Sequence, residues 1–467
     1  MTLPSIALYS IPALIGVLIV HLIWDGNNTN IIPVKIALGI GIGIGITSLL
    51  YFIFLFTRQS GFLLFLFSIA LLLIFISIRN WQPFDLTHNQ PLTAVQKALF
   101  FILVIIIIIN LATFISISMR IPHGSWDSWA IWNRVARFIF RSGQDWQRIF
   151  SSEFNWLFHA DYPLLVPLTT AWVWDVLNVE TQRVPMIQAG IYLFVCGLLL
   201  FSALYVTRSF GTACIATTVL LANPEYTAIS SIQIADTPLA IFIAATAIIY
   251  VLYEKYRQPH ILVLAGITTA LAAWTKNEGF IFLAGSLAGL FIIGYKNGPT
   301  WRLAGWYFTG IVLPLTIVLF HKLALAPTSD IYNQSYAETM ANVFDFSRYA
   351  DIGKEFGAAL LTFGGWGFSV PAFLAYYVIM KKKGGDTTSP SRGIFAIGII
   401  LLIQLLGYFA TYVVTPHDLE WHLAFSLTRI IYHIFPTALF LLFLVTDTPE
   451  SIFAGRKSNS PITQHGF

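Results

Sequence analysis

Apolar stretches of about 20 residues, the length a helix needs to cross a bilayer, recur along almost the whole chain. The first four run from Ser5 to Trp24, Val34 to Phe56, Gly61 to Ile78 and Ala98 to Met119. Later ones begin near Met186, Thr212, Thr237, His260, Gly279, Leu303, Phe356, Gly393 and Arg429. The pattern predicts an all-α polytopic membrane protein of about 13 transmembrane helices. The N-terminal run has no basic flank and is longer than a signal-peptide core, so it is expected to be a first span. Gly39, Gly41, Gly43 and Gly45 alternate within an apolar run, which points to close helix packing rather than a strand or nucleotide loop. Pro163 to Asn178 reads two ways: with about 16 residues including Pro163, Pro167 and Asp175, it is either a short crossing or a re-entrant element.

Composition narrows the class. Of 467 residues, 57% are apolar and 10% charged, with a mean hydropathy of +0.74, which excludes a soluble domain, a disordered chain, collagen and a coiled coil. The net charge of +4 is 26 Lys and Arg against 22 Asp and Glu, dispersed among the loops as a topology signal; no nucleic-acid partner is expected. Cys196 and Cys214 lie inside apolar runs and read as small buried hydrophobes, not as a disulfide or zinc framework. The run Lys381-Lys382-Lys383 with Arg392 is expected on the cytoplasmic side, as are the loops around Lys296 and Arg302, Lys255 and Arg257, and Arg208. Counting from there puts Asp236, Lys276, the stretch from Asp330 to Lys354 and Thr415 to Ser426 outside. If Pro163 to Asn178 spans, the polar stretch before it lies inside, where the four arginines at 134, 137, 141 and 148 favour it; if it does not span, that stretch lies outside and the positive-inside rule conflicts with it. The expected organisation is one integral, multi-pass transmembrane domain over 1–446, with outer loops 120–185, 223–236, 326–356 and 415–428, and a flexible cytoplasmic tail over 447–467.

The spans are nearly free of charge, which argues against an ion-coupled path. Ionisable residues collect instead in segments assigned to one face: Asp127, Arg134, Arg137, Asp161, Asp236, Lys276, Glu278, Asp418, Glu420 and Arg429. From Trp126 to Arg141 the sequence is amphipathic at helical period, with Asp127, Arg134, Arg137 and Arg141 on one side and Trp129, Trp132, Ala136 and Ile139 on the other. Membrane anchoring explains that pattern as well as chemistry does. Asp236 precedes Thr237-Pro238 and reads either as a helix N-cap or as a site carboxylate. Lys276 and Glu278 form either a polar turn with a snorkelling lysine or part of a site. Arg429, entering a span, needs an anion: a lipid phosphate, or a loop carboxylate such as Asp418 or Glu420. The segment from His417 to His422 holds metal-ligand residue types without a ligand spacing, so a divalent metal is a candidate cofactor with no ligand assigned.

Taken in order, Trp126-Asp127-Ser128-Trp129, His159-Ala160-Asp161-Tyr162-Pro163, Ala235-Asp236-Thr237-Pro238, Thr275-Lys276-Asn277-Glu278-Gly279 and Ser426-Leu427-Thr428-Arg429 with Pro436 give the stretch from about Ala98 to Pro436 a recognisable layout. It resembles the C-type superfold of integral-membrane glycosyltransferases, specifically bacterial relatives of aminoarabinose transferases and protein O-mannosyltransferases. The resemblance implies juxtamembrane helices in the first large outer loop, Asp127 at the catalytic acidic position, no full crossing by Pro163 to Asn178, and location in a bacterial inner or plasma membrane. It also implies transfer of a sugar from a polyprenyl-phosphate carrier to a glycan or lipid acceptor on the non-cytoplasmic face. Aminoarabinose transferases carry a lysine where Tyr162 stands, which leaves Lys276 and Arg429 as the cations for the donor phosphate. On that reading Asp127 is the base and Asp236 the second carboxylate. Trp126, Trp129, Arg134, His159, Asp161, Tyr162, Lys276, Glu278, His422 and Arg429 are the substrate-binding candidates. A polytopic lipid or solute transporter and a membrane scaffold without chemistry are the competing classes; inverted repeats and mid-span ionisable pairs would favour the transporter.

Overall fold

A computed structural model describes residues 2–24, 26, 29–57, 59–79, 91–154, 159–295, 300–329, 334–362, 369–380 and 391–451. The first helices are α1 (Thr2–Ile23), α2 (Ile32–Thr57), α3 (Phe62–Arg79) and α4 (Ala94–Arg120). A polar segment with α5 (Asn133–Ser142) and α6 (Leu165–Leu177) leads to α7 (Arg183–Thr207), α8 (Phe210–Leu221), α9 (Pro224–Ser231) and α10 (Asp236–Tyr256). Then come α11 (Leu262–Thr275), α12 (Glu278–Gly294), α13 (Thr300–Phe320), α14 (Tyr336–Phe344) and α15 (Phe346–Leu361). The chain closes with α16 (Ser369–Met380), α17 (Ser391–Val414), α18 (Leu419–Tyr432) and α19 (Phe435–Val445). No strand occurs among the described residues.

The protein is an all-α multi-pass membrane protein. Eight helices, α1 to α4, α7, α10, α13 and α17, are long and apolar enough to cross a bilayer, and α18 with α19, bent by 45°, would make a ninth. That replaces the expected count of about 13. The apolar runs near Thr212, His260 and Gly279 fold as α8, α11 and α12, with 12, 14 and 17 residues, because Asn223-Pro224, Pro259 and Lys276 interrupt them. The run near Phe356 falls partly in α15, whose described side chains are mostly exposed, and resumes in the 12-residue α16. The lysine run at 381–383, Lys296 and Asp330 lie outside the described residues.

Exposed apolar side chains concentrate on α3, α4 and α13, where a bilayer rather than water would meet them. By contrast α10 is enclosed along its whole apolar length by α7, α11, α12, α17 and α19. Hydroxyl groups join this centre: Thr246 bonds Thr268 at 2.7 Å, while Ser286 meets Thr269 at 2.8 Å, Tyr250 at 2.9 Å and Tyr307 at 3.0 Å. The alternating glycines do serve close packing. A Cβ on Gly39 would lie 2.5 Å from the Val17 backbone, and one on Gly43 would lie 1.9 Å from the Pro12 carbonyl, so α1 and α2 touch backbone to backbone.

The first residues of the expected tail are tied down. Asp447 N donates to Met380 O at 2.6 Å, and Glu450 accepts from Ser209 Oγ at 2.6 Å, Gly211 N at 2.8 Å and Gln96 Nε2 at 3.0 Å. Residues 452–467 lie outside the described ones.

Candidate functional site

Two loops lace together at one end of the bundle. After α4, Ser128 Oγ donates to the Ile232 carbonyl and Ser125 N bonds the same oxygen at 3.3 Å. Gln233 returns the contact, accepting from Asn133 Nδ2 at 2.8 Å and donating to Pro122 O at 3.1 Å. This lacing brings the start of the polar segment, with Asp127, beside the start of α10, with Asp236. Gly124 makes the approach possible: its φ is +74°, and a Cβ there would lie 2.5 Å from Ile232 O. Gly124→Ala should therefore destabilise the protein by about 1–3 kcal/mol. Gly143→Ala, also at positive φ (+50°) but with nothing within 4 Å of its Cβ, should cost less. Thermal unfolding of the two purified variants checks the order, and equal losses would remove steric contact as the cause.

Asp127 opens a π-helical turn, Ser128–Trp132, that continues into α5. The wider turn shifts the phase of the amphipathic pattern. Trp132, Ala136 and Ile139 are buried as their period predicts, whereas Trp129 is 43% exposed and carries Arg134 over its ring at 5.5 Å.

The charged groups converge across sequence. Arg429 Nη1 pairs with Asp127 Oδ2, both side chains about a quarter exposed (26% and 27%). Arg429 is also within electrostatic reach of Asp236. Lys276 Nζ lies 3.2 Å from Asp236 Oδ1 and 3.0 Å from Glu278 Oε1. Burial disfavours the Lys276 ammonium, but the two carboxylates outweigh it and hold its pKa above the usual lysine value. His433 Nε2 meets Asp236 Oδ1 at 2.8 Å while its Nδ1 meets Tyr408 OH at 2.9 Å. Gln404 Nε2 donates to Tyr408 OH at 2.8 Å and to the Glu278 carbonyl at 3.2 Å.

Asp236 is not an N-cap: Ala235 occupies the cap position, and the Asp236 carboxylate, 2% exposed, bonds Lys276 and His433. Nor does Arg429 take the nearby loop acids. Asp418 caps α18 by accepting from Trp421 N at 2.8 Å. The bend between α18 and α19 presents His433, because Pro436 has no N–H for the Tyr432 carbonyl one turn back.

A neighbouring polar group adjoins this cluster. Asp161 Oδ2 accepts from Asn277 Nδ2 at 2.9 Å, and Lys322 Nζ donates to Asp161 O at 2.6 Å and Asn277 Oδ1 at 3.0 Å. Tyr162 stacks on Trp132 with centroids 5.3 Å apart, and His159 stacks on Tyr162 at 5.7 Å. Trp126, 62% exposed, stands edge-on to Trp129 at 6.2 Å. His422 turns to Thr415 Oγ1 at 2.9 Å and to the Tyr412 ring at 4.8 Å, on the flank of the cluster.

Helix α6, with 13 residues, follows Asp161 and precedes Glu180. Glu180 accepts from Arg137 Nε and Arg141 Nε, each at 2.8 Å, so both flanks of α6 are tied to the end of the bundle that carries the cluster. With 13 residues, α6 is shorter than the roughly 20 a helix needs to cross a bilayer. An open groove of about 1070 Å³ runs between the end of α4 and the start of α7; Gly124 and Trp129 line it, whereas Asp127 and Arg429 do not.

Sequence reading missed His433, Tyr408, Gln404, Lys322 and Glu180. Two of these carried a signal. His433 falls one helical turn after Arg429, and Lys322 is an ammonium at the end of an apolar run.

Among the described residues no three His, Cys, Asp or Glu side chains gather as metal ligands. Compared with protein families, curated proteins and solved structures, the chain gives no match.

Proposed function

We propose that this protein is a membrane glycosyltransferase of the C-type superfold, moving a sugar from a polyprenyl-phosphate carrier to an acceptor hydroxyl on the non-cytoplasmic face. The observation that carries the reading is the quarter-exposed Asp127–Arg429 pair set against the buried Asp236–Lys276 pair with Glu278 partly buried beside it. A transferase of this kind needs a carboxylate and a cation within one site that both water and a lipid carrier can reach.

The acceptor oxygen attacks the anomeric carbon as the bond from that carbon to the phosphate oxygen breaks. The electron pair leaves with the phosphate, and the hydroxyl proton goes to Asp127. Arg429 is the cation for the leaving phosphate, because Lys276 is already held by two carboxylates. A bound phosphate competes with Asp127 for Arg429, which would release the carboxylate for its role as base. Asp236, deeply buried between Lys276 and His433, acts in this scheme by fixing the site's charge, not by touching the acceptor. Trp126, Trp129 and Tyr162 supply ring faces for sugar, and Lys322 lies against the backbone of Asp161, beside Tyr162. The juxtamembrane role of α5 and α6 belongs to the same reading.

The test is transfer of radiolabel from polyprenyl-phosphate sugars to lipid or glycan acceptors by the reconstituted protein. Counterflow of solute without transfer would favour a transporter and overturn the proposal. Arg429→Gln should raise the KM for the carrier-linked sugar roughly 10- to 100-fold, the worth of a charge-assisted hydrogen bond of about 1.5–3 kcal/mol. Initial rates across donor concentrations decide it; an unchanged KM would exclude Arg429 from phosphate binding.

A further inference from the structure

At the buried end of the cluster the hydrogen bonds run in one direction, set by the groups that can only accept. Gln404 and Tyr408 lie one turn apart on α17, and the bend between α18 and α19 sets His433 against them. The Glu278 carbonyl, 3.2 Å from Gln404 Nε2, has no hydrogen to give, so the amide turns its N–H groups toward it; reversing the amide would set two oxygens face to face. The same nitrogen, 2.8 Å from Tyr408 OH, therefore donates to the phenol oxygen as well.

The phenol has one hydrogen, and that hydrogen needs an acceptor because Tyr408 and His433 are 1% and 0% exposed. Gln404 presents only its nitrogen there. His433 Nδ1, at 2.9 Å, takes the hydrogen, which requires that ring nitrogen to be bare. The ring hydrogen then sits on Nε2 and is donated to Asp236 Oδ1 at 2.8 Å. A doubly protonated ring would aim Nδ1–H and the Gln404 amide at one phenol oxygen and strand the phenol hydrogen in a buried place.

We infer that Gln404 and Tyr408 are positioning residues that fix His433 as a neutral Nε2–H donor to Asp236, so that the ring orients the carboxylate without adding a cation to the cluster. Asp236 Oδ1 is then shared between a neutral N–H and the Lys276 ammonium, which lies 3.2 Å away. A charged ring would be a third cation beside Lys276 and Arg429 and would compete with Lys276 for that oxygen. The consequence for chemistry rests on the glycosyltransferase reading: Lys276 stays engaged, and Arg429 remains the cation for the leaving phosphate. The ring state itself can be measured without turnover.

The experiment is solid-state nitrogen NMR of the full-length protein in phosphatidylcholine liposomes at neutral pH, with isotope-labelled histidine. Coupling to the labelled side-chain carbon of residue 236, aspartate or asparagine, assigns the His433 ring in each protein. The wild type is expected to show a protonated Nε2 and a bare Nδ1. Asp236→Asn should keep that tautomer, because the order is imposed from the Gln404 side. Adding Tyr408→Phe to Asp236→Asn should lower the ratio of Nε2–H to Nδ1–H about tenfold, equivalent to about 1.4 kcal/mol. A doubly protonated or Nδ1–H ring in the wild type, a mixture of tautomers in Asp236→Asn, or an unchanged ratio in the double variant would overturn the inference. The first two spectra decide it even where the double variant does not fold. The expected spectra in a protein that transfers no sugar would keep this relay while sinking the transferase reading, and the wrong ring state in an active transferase would sink the relay alone.

Discussion

Asp127→Asn is expected to lower transfer from a polyprenyl-phosphate sugar by about a thousandfold, within the roughly 10²–10⁴ that a positioned general base contributes. The loss should fall on kcat. Asparagine keeps the size and an acceptor oxygen at this position but cannot take up the proton, and it leaves Arg429 without its anionic partner, so the KM for the carrier should stay level or fall. Stability should change little: the pair is about a quarter exposed (26% and 27%), and such ion pairs contribute on the order of 0–1 kcal/mol. Steady-state kinetics together with the melting temperature of the same preparation separate the possibilities. Undiminished turnover removes Asp127 from the base role, and a lost fold would make it a structural residue.

The second large effect is one of stability, and its asymmetry is the informative part. In Lys276→Met the buried Asp236 and the partly buried Glu278 lose the cation they share. Stripping one partner from a buried ion pair costs about 3–5 kcal/mol. In Asp236→Asn, Lys276 still has Glu278 at 3.0 Å and the amide can still meet His433, so the loss should be nearer about 1–2 kcal/mol. The expected order of thermal stability in detergent is wild type, then Asp236→Asn, then Lys276→Met. Equal losses would mean that the pair, rather than the three-charge cluster, is the unit that matters.

Much of this architecture was legible beforehand. Long apolar runs with scarce charge settle the class, because a backbone in hydrocarbon must satisfy its own hydrogen bonds and a helix does so within one segment. The close approach of α1 and α2 was readable in Gly39 and Gly43, and the buried side of α5 in Ala136 and Ile139. The span count was not. Apolar run length does not record where Pro259, Lys276 or Asn223-Pro224 break the backbone, and those breaks cut three expected spans to helices of 12 to 17 residues. The exposure of Trp129 was hidden for a related reason: a π-helical turn changes the angle per residue, and a 3.6-residue period cannot anticipate it.

The sequence by itself determined that this is a helical multi-pass membrane protein whose ionisable groups avoid the spans, since both follow from residue type and spacing along one chain. It also supplied Asp127, Asp236, Lys276, Glu278 and Arg429 as separate candidates. Which of them meet was decided by tertiary structure alone. Asp127 and Arg429 are 302 positions apart, and Asp236 and Lys276 are 40 apart, so no local period links them. Partner choice depended on the lacing of two loops over Gly124 and on the bend before Pro436, which bring oppositely charged groups together where burial makes an unpaired charge costly. The same packing left Asp127 within reach of solvent and enclosed Asp236, a division of roles that two aspartates at two helix starts do not reveal.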